Sequence, residues 1–172
     1  MNRKLHKHFI SPKTNYLIFV TAILLWCFLI IVAPWLASNE HVFSSGLIYL
    51  FFSKICHQIP ERSFFIFGKQ LAVCSRCTGL YFGFLLGAIL YATLFKLNRV
   101  WIPSRKLIIL PIILISIDIS IQVLHVAENT FTSRFSTGII LGASTALFMA
   151  PGILSFVLKS PYSKIKHRTK IF

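Results

Sequence analysis

Three of the four cysteines of this chain lie in a polar stretch between two apolar segments. Cys56 is followed directly by His57, and Cys74 and Cys77 form a Cys-x-x-Cys pair just before an apolar run. Zinc in proteins usually takes a tetrahedral set of Cys and His ligands, and a Cys-x-x-Cys pair commonly supplies two of them. We therefore expect Cys56, His57, Cys74 and Cys77 to hold zinc or another transition metal.

The adjacency of Cys56 and His57 sets a geometric condition on this site. Neighbouring residues of a helix point about 100° apart, so both side chains can reach one ion only where the backbone between them is extended. Either His57 or a water molecule would then complete a coordination shell built on three thiolates.

The same cysteines support two other interpretations. A Cys-x-x-Cys pair at a helix N-terminus, with Arg76 between its thiols, should have a lowered thiol pKa, as a redox pair requires. On the outer face of a membrane, such a pair could exchange disulfides and pass electrons to a quinone, by analogy with small four-helix oxidoreductases. A Cys56–Cys74 or Cys74–Cys77 disulfide would instead only hold the outer loop together. Cys27, alone in an apolar segment, is expected to be a packing residue.

A second set of polar residues lies in the third apolar segment. Asp118, Gln122 and His125 are spaced at i, i+4 and i+7, which places them on one face of a helix. An ionisable residue within a membrane span is costly and by default indicates function. The alternative is that Asp118 pairs with Arg76 or Arg134 and only locks the helices together.

Composition and hydropathy predict the elements that must position these residues. The chain has 172 residues, of which 56% are hydrophobic and 13% are charged, whereas soluble domains average about 25% charged residues. Four apolar segments each approach or exceed the roughly 20 residues that a helix needs to cross a bilayer. They span residues 16–35, 80–97, 107–126 and 137–158. We predict one all-α integral membrane domain over residues 1–172, with four transmembrane helices and a first helix that is retained.

The loop between the first two spans has structure of its own. Residues 43–55 are apolar but too few to span, so a short interfacial or re-entrant helix is expected. The run "SFFIFGKQLAV" reads as two short strands around Gly68 and Lys69, which predicts a small hairpin. The end of this hairpin would deliver Cys74 and Cys77 to the start of the second span.

The basic residues predict the orientation. Eighteen Lys and Arg against four Asp and Glu give a formal charge of +14, but the bases cluster at the chain ends and between apolar runs. Such clusters flank membrane spans on the cytoplasmic side, so we predict no nucleic-acid partner and both termini in the cytoplasm, in a multi-pass cytoplasmic-membrane protein. The long outer loop nevertheless carries four bases, for which a functional site is one explanation: Lys54, Arg62, Lys69 and Arg76.

Small residues at four-residue spacing occur on the second and fourth spans. Such spacing lets helix backbones approach closely, so we expect these residues to pack helices rather than to bind a ligand. They are Gly79, Gly83 and Gly87 on one span, and Gly138, Gly142 and Ala146 on the other.

The predicted topology brings both polar sets to the outer side of the bilayer. We therefore expect one pocket that contains the thiols, the arginines and the acid. Guanidinium groups bind phosphate and carboxylate well, so a small anionic or lipid-phase substrate would suit this pocket. A self-satisfied network of salt bridges is the alternative. The candidate catalytic residues are Asp118, Gln122 and Arg134, and the candidate substrate-binding residues are Arg62, Arg76 and Asn129.

Several motifs together resemble one family. The runs "CHQIPERSF", "GKQLAVCSRCTGLYFG" and "NTFTSRFSTG", with an intramembrane Asp and a Gln four residues later, resemble the domain of unknown function 2085 family of small predicted membrane proteins. The resemblance covers about residues 55–142, over half of the chain. One departure is Ile119 after Asp118, where family members often have Gly. The family implies a membrane fold but supplies no activity.

The functional hypothesis is an outward-facing Cys/His metal site beside a polar intramembrane pocket. A metal-dependent membrane enzyme would use the metal as a Lewis acid and Asp118 as a base. The alternatives are a membrane thiol–disulfide oxidoreductase that uses Cys74 and Cys77, or a non-catalytic structural or transport protein. No catalytic-triad order, phosphate loop or dinucleotide fingerprint defines a reaction, so whether the protein is an enzyme stays open.

Overall fold

Four long helices and one short helix make up most of the chain that the structure describes. The computed structural model describes residues 12–95, 103–124 and 130–158. Four of its helices are long and apolar enough to cross a bilayer, which confirms the predicted all-α membrane fold. The helices are α1 (Pro12–Ser38), α2 (Val42–Ser53), α3 (Ser75–Leu94), α4 (Lys106–Val123) and α5 (Phe131–Leu158), and the strands are β1 (Phe65–Ile66) and β2 (Lys69–Gln70).

All four spanning helices begin earlier than the apolar runs indicate, and α3 and α5 do so by the most. Helix α3 starts at Ser75 rather than at residue 80, and α5 starts at Phe131 rather than at residue 137. Hydropathy counts only the apolar residues, whereas the helical backbone continues through a polar first turn. As a result, Arg76, Cys77 and Arg134 lie on helices rather than in loops.

The most extensive helix interface joins α3 and α5, which run parallel. The glycines at four-residue spacing bring the two backbones into contact, as the sequence predicts. A Cβ atom added at Gly83 would lie 2.4 Å from Ile139 O, and one added at Gly142 would lie 2.1 Å from Leu80 O. Both distances are far inside van der Waals contact, so a side chain at either position would push the helices apart.

Helix α1 packs antiparallel to α3. The Tyr16 hydroxyl donates a hydrogen bond of 2.7 Å to Ala88 O near one end of the pair. Further along, Cys27 Sγ lies 3.5 Å from Tyr81 O. Cys27 is only 3% exposed, which confirms the packing role expected for it.

Helix α4 lies at the edge of the bundle and packs mainly on α5. Most of its large apolar side chains are exposed, including Leu110, Ile113 and Ile117. In a soluble protein such a surface would be a liability, but lipid tails cover it in a bilayer. Asp118 and Pro111 are its two buried residues.

Helix α2 and the hairpin cover the end of the bundle at which α3 begins, α4 ends and α5 begins, here called the cysteine end. Strands β1 and β2 pair antiparallel, which confirms the predicted hairpin. Its turn is Phe67–Gly68, one residue before the position predicted, because Lys69 pairs with Ile66. Both turn residues have positive φ, 56° and 70°, as a two-residue type I′ turn requires.

Candidate metal centre and adjoining cavity

The sulfur atoms of Cys56, Cys74 and Cys77, here called the thiol cluster, all lie within 4.8 Å of one another. Two thiolates bound at ~2.3 Å to one tetrahedral zinc lie roughly 3.8 Å apart, so the three sulfurs need only small shifts to share an ion. None of the four cysteines is in a disulfide. The cluster therefore offers three ligands at metal-binding spacing.

Local backbone structure brings these cysteines together. Cys74 is the N-cap residue of α3, and Cys77 lies in its first turn. Residues three apart in a helix share a face, so the two side chains point the same way. Cys56 follows the end of α2, where its N–H donates a hydrogen bond of 2.9 Å to Phe52 O. Residues 71–73, which are buried, then bring the chain from the hairpin back to Cys56.

Hydrogen bonds among the sulfurs favour the thiolate form of Cys74. The backbone N–H of Cys74 lies 3.2 Å from Cys56 Sγ and donates to it. Hydrogen bonds from the side chains of Cys56 and then Cys77 lower the pKa of Cys74, against the opposing effect of burial. A thiolate rather than a thiol is the metal ligand and the nucleophile, so the surroundings favour the reactive form.

His57, the predicted fourth ligand, does not belong to the group of donor atoms within 4.8 Å. It is exposed and lines the cavity beside the thiol cluster. This position agrees with the expectation that the side chains of adjacent residues, here Cys56 and His57, rarely reach the same ion.

A cavity of about 220 Å³ opens beside the thiol cluster, and it is here called the arginine cavity. Its walls combine the three cysteines with polar residues from the loop, α3, α4 and α5. Most of the residues that the sequence singles out line it, whereas Asp118 does not. The lining residues are Ile55, Cys56, His57, Ile59, Arg62, Cys74, Arg76, Cys77, Gln122 and Arg134.

Asp118 lies next to the cavity and holds one of its arginines. Its Oδ2 atom is 2.5 Å from Arg76 Nη2, and its Oδ1 atom accepts a hydrogen bond of 2.6 Å from the Ser133 hydroxyl. The carboxylate is only 9% exposed. Both oxygens thus bind neighbouring helices, α3 through Arg76 and α5 through Ser133.

Gln122, one helical turn after Asp118, binds the other two arginines. Hydrogen bonding orients its carboxamide so that the oxygen faces both guanidinium groups. This oxygen accepts from Arg134 Nη2 at 3.1 Å and from Arg62 Nη1 and Nη2 at 3.2 and 3.0 Å. The amide oxygen therefore lies where two arginines converge.

Arg134 is the most deeply placed of the arginines, with 9% of its surface exposed. Among the residues described, its buried Nε atom has no hydrogen-bond partner, and the same holds for Nε of Arg76. Three guanidinium groups and one carboxylate leave two positive charges in excess within this described site. Such an excess, partly buried, favours an anion.

His125 of the second polar set and the predicted substrate-binding Asn129 lie outside the described residues. Two further polar residues lie near the start of α5. Ser136 is exposed, and the hydroxyl of Thr137 donates a hydrogen bond of 2.9 Å to Ser133 O. The sequence reasoning missed Ser133, although its place directly before Arg134 in a polar helix start was the available signal.

The sequence reasoning also missed the hydrogen bonds that support the loop around Cys56. The Gln58 side chain donates to Tyr49 O and to Ala72 O, both at 2.8 Å. Gln70 Nε2 donates to Gln58 O at 2.6 Å and to Ser63 Oγ at 3.0 Å. These bonds tie α2, the hairpin and the segment before α3 into one unit. The two glutamines of the loop could have indicated them, because amides satisfy backbone groups in irregular segments.

Comparison with known proteins agrees with the resemblance read from the motifs. Residues 56–148 match the family described as "Predicted membrane protein (DUF2085)". An uncharacterized protein of Methanocaldococcus jannaschii is 37% identical over 152 residues, which cover 86% of this chain and 97% of that protein. An uncharacterized protein of Methanothermobacter thermautotrophicus is 36% identical over 103 residues, 59% of this chain and 89% of that protein. No solved structure matches the chain.

Proposed function

The chain belongs to the predicted membrane protein family of the domain of unknown function 2085, and we propose that it is a membrane metalloprotein that binds zinc or another transition metal through the thiol cluster. The spacing of the three sulfurs, all within 4.8 Å, is the observation that carries this proposal. Thiolate ligands select zinc and other soft or borderline metals over calcium and magnesium.

The number of ligands favours a reactive site over a purely structural one. Structural zinc sites usually have four protein ligands, whereas catalytic sites have three and leave one position to water or substrate. The fourth position here would face the arginine cavity, which the same cysteines line. A bound metal would supply Lewis acidity at that position. We propose that substrate replaces water at this position, as it would in a metal-dependent membrane enzyme.

The neighbouring residues have separate roles in this proposal. Arg62, Arg134 and Gln122 would contact the substrate, because all three line the cavity. The two arginines already converge on the side-chain oxygen of Gln122. Asp118 would act as a positioning residue for Arg76 rather than as a base, because Arg76 and Ser133 engage both of its oxygens. We further propose that the cysteine end faces outward from the cytoplasmic membrane, as the distribution of basic residues indicates.

Elemental analysis of protein purified without a metal-affinity column tests the metal site. We expect about one equivalent of zinc or another transition metal per chain, retained in Cys27→Ser and lost in Cys74→Ser. Cys27→Ser is the matched control because it removes a thiol that lies outside the cluster. Retention of metal in His57→Ala would assign the three thiolates as the ligands, and its loss would add His57 to them. Metal-free wild-type protein would refute the proposal.

The main alternative is a membrane thiol–disulfide oxidoreductase. It is favoured by the Cys-x-x-Cys pair at the N-terminus of α3, where hydrogen bonds from Cys56 and Cys77 lower the pKa of Cys74. Thiol counting before and after reductant separates the two functions. A redox pair would gain two alkylated thiols on reduction and contain no metal. A metal site would show the same thiol count with and without reductant, once the metal has been removed by a chelator.

A further inference from the structure

The thiol cluster and three arginines line one cavity, and we infer that this cavity binds a phosphate-type oxyanion between the metal and the guanidinium groups. The inference rests on the metal site proposed above and names the class of ligand that takes its fourth position. The sequence indicates only a small anionic or lipid-phase substrate, and the relatives assign no ligand to this site.

The charges of the described residues indicate an anion. Arg62, Arg76 and Arg134 carry three positive charges, of which the Asp118 carboxylate neutralises one. A divalent metal with three thiolates would add one net negative charge. One positive charge then remains in a site that is partly buried at one end of a membrane bundle, where an uncompensated charge is costly. A single bound anion would neutralise it.

Unsatisfied donor atoms in two of the arginines that line the cavity give a second, independent observation. Arg134 is more than nine-tenths buried, and its Nε atom has no hydrogen-bond partner within the described ranges. The same is true of Nε in Arg76. The Gln122 oxygen already accepts from the terminal nitrogens of Arg62 and Arg134, at 3.0–3.2 Å. It shows that an oxygen fits between these guanidinium groups, but a neutral amide does not compensate their charge.

The number of acceptors favours phosphate over carboxylate. A carboxylate has two oxygens, whereas a phosphate group can present oxygens to a metal and to several guanidinium groups at once. The cavity volume of about 220 Å³ suits a headgroup-sized ligand, since drug-sized ligands occupy pockets of roughly 300–1,000 Å³. The phosphate could belong to a soluble compound or to a lipid headgroup, because both reach the end of a membrane bundle.

Calorimetric titration of zinc-loaded protein in an uncharged, phosphate-free maltoside detergent tests this inference. Inorganic phosphate is the ligand in one arm, and a short-chain phosphatidic acid is the ligand in the other. We expect binding of about one equivalent in at least one arm, and an affinity at least about tenfold lower in Arg62→Gln, since a charge-assisted hydrogen bond is lost. Arg62 is exposed in a loop, so its replacement should leave the fold intact. Arg105→Gln, which removes an exposed charge outside the cavity, should bind as the wild type does.

The arms and controls give each outcome a meaning. Binding of inorganic phosphate supports a soluble ligand, and binding of the lipid alone supports a headgroup. Zinc-loaded protein that binds neither ligand, or that binds equally well in Arg62→Gln, would overturn the inference while the measured zinc keeps the metal proposal intact. Undiminished phosphate binding after a chelator has removed the zinc would overturn the bridging position, while the metal site would still rest on the zinc measured before chelation.

Discussion

Asp118 on α4 lies 2.5 Å from Arg76 on α3, and its second oxygen accepts a hydrogen bond from Ser133 on α5. One acid thus joins three helices at the end of the bundle where the thiol cluster lies. Arg76 stands between two cysteines of that cluster in the sequence, so the ion pair also fixes the first turn of α3. The pair therefore links the stability of the bundle to the geometry of the site.

Removing the charge of Asp118 should destabilise the protein. We expect Asp118→Asn to lower the free energy of unfolding by about 1.5–3 kcal/mol, because a hydrogen bond between charged groups is lost while Arg76 stays partly buried. Denaturant unfolding in detergent micelles measures this change. Glu61→Gln, at an exposed position, is the control and should change stability by less than about 0.5 kcal/mol.

A double-mutant cycle shows whether the loss comes from the pair itself. Arg76→Gln should cost clearly less in the Asp118→Asn background than in the wild type, because its partner is already gone. Additive costs would contradict a direct interaction between Arg76 and Asp118.

A methyl group at the α3–α5 interface should be poorly tolerated. Gly83→Ala would place its Cβ 2.4 Å from Ile139 O, so the helices must separate or shift. We expect a loss of about 1–3 kcal/mol in unfolding free energy, the usual cost of overpacking. Gly46→Ala in α2 is the matched control, since no atom lies within 4 Å of its added Cβ. That variant should be neutral or up to about 1 kcal/mol more stable, because alanine favours helix. Equal effects of the two substitutions would refute the close approach of backbones.

Gln58 should control the opening of the loop that carries Cys56. Gln58→Ala loses two hydrogen bonds of 2.8 Å, to Tyr49 O and to Ala72 O. With about 1 kcal/mol for each bond, local opening should become at least about tenfold more frequent. Tryptic cleavage after the exposed Arg62 and Lys69 measures that opening. Asn39→Ala loses bonds only to Trp35 O and Ser38 Oγ of its own helix end, so its cleavage rate should match the wild type.

Metal removal should expose the thiol cluster to alkylation and leave Cys27 protected. In zinc-loaded protein, coordination should block Cys56, Cys74 and Cys77. Cys56 is 5% exposed but lines the cavity with the other two, whereas Cys27, at 3% exposure, does not line it and is blocked by burial. Mass spectrometry after maleimide treatment should therefore find three additional adducts per chain once a chelator has been added. Modification of Cys27 together with the others, or no change with chelator, would contradict this assignment of the sulfurs.

The sequence predicted the spans and the convergence of the polar residues through simple rules. Apolar length identifies helices that cross a bilayer, and an even number of crossings between the α3 start and the α5 start brings both to one end of the bundle. The spacing of Cys74 and Cys77 indicated that they share a side. These relationships depend on local residue patterns and on the number of membrane crossings, and both can be read directly from the sequence.

The remaining contacts depend on backbone conformation and on neighbours far along the chain. Gln58 has a φ of 50°, in the left-handed region, and no glycine at that position signals such a turn. Because of this turn, its side chain reaches α2 and the segment before α3. Likewise, the bond from Ser133 to Asp118 requires α5 to start before its apolar run does. Residue spacing alone therefore does not predict the hydrogen bonds of Gln58 and Ser133. It also does not predict that His57 lies outside the thiol cluster.

The glycines of the α3–α5 interface set the distance between the two helices that carry Arg76, Cys77 and Arg134 at the cysteine end. Arg76 and Gly138 lie on opposite sides of that interface, and a Cβ at Gly138 would come within 2.4 Å of Arg76 O. A saturation mutagenesis screen scored on metal content would therefore rank these glycines beside the cysteines, although they pack helices and offer no ligand atom from a side chain. Reading such a map as a list of contact residues would misassign the scaffold as part of the reaction centre.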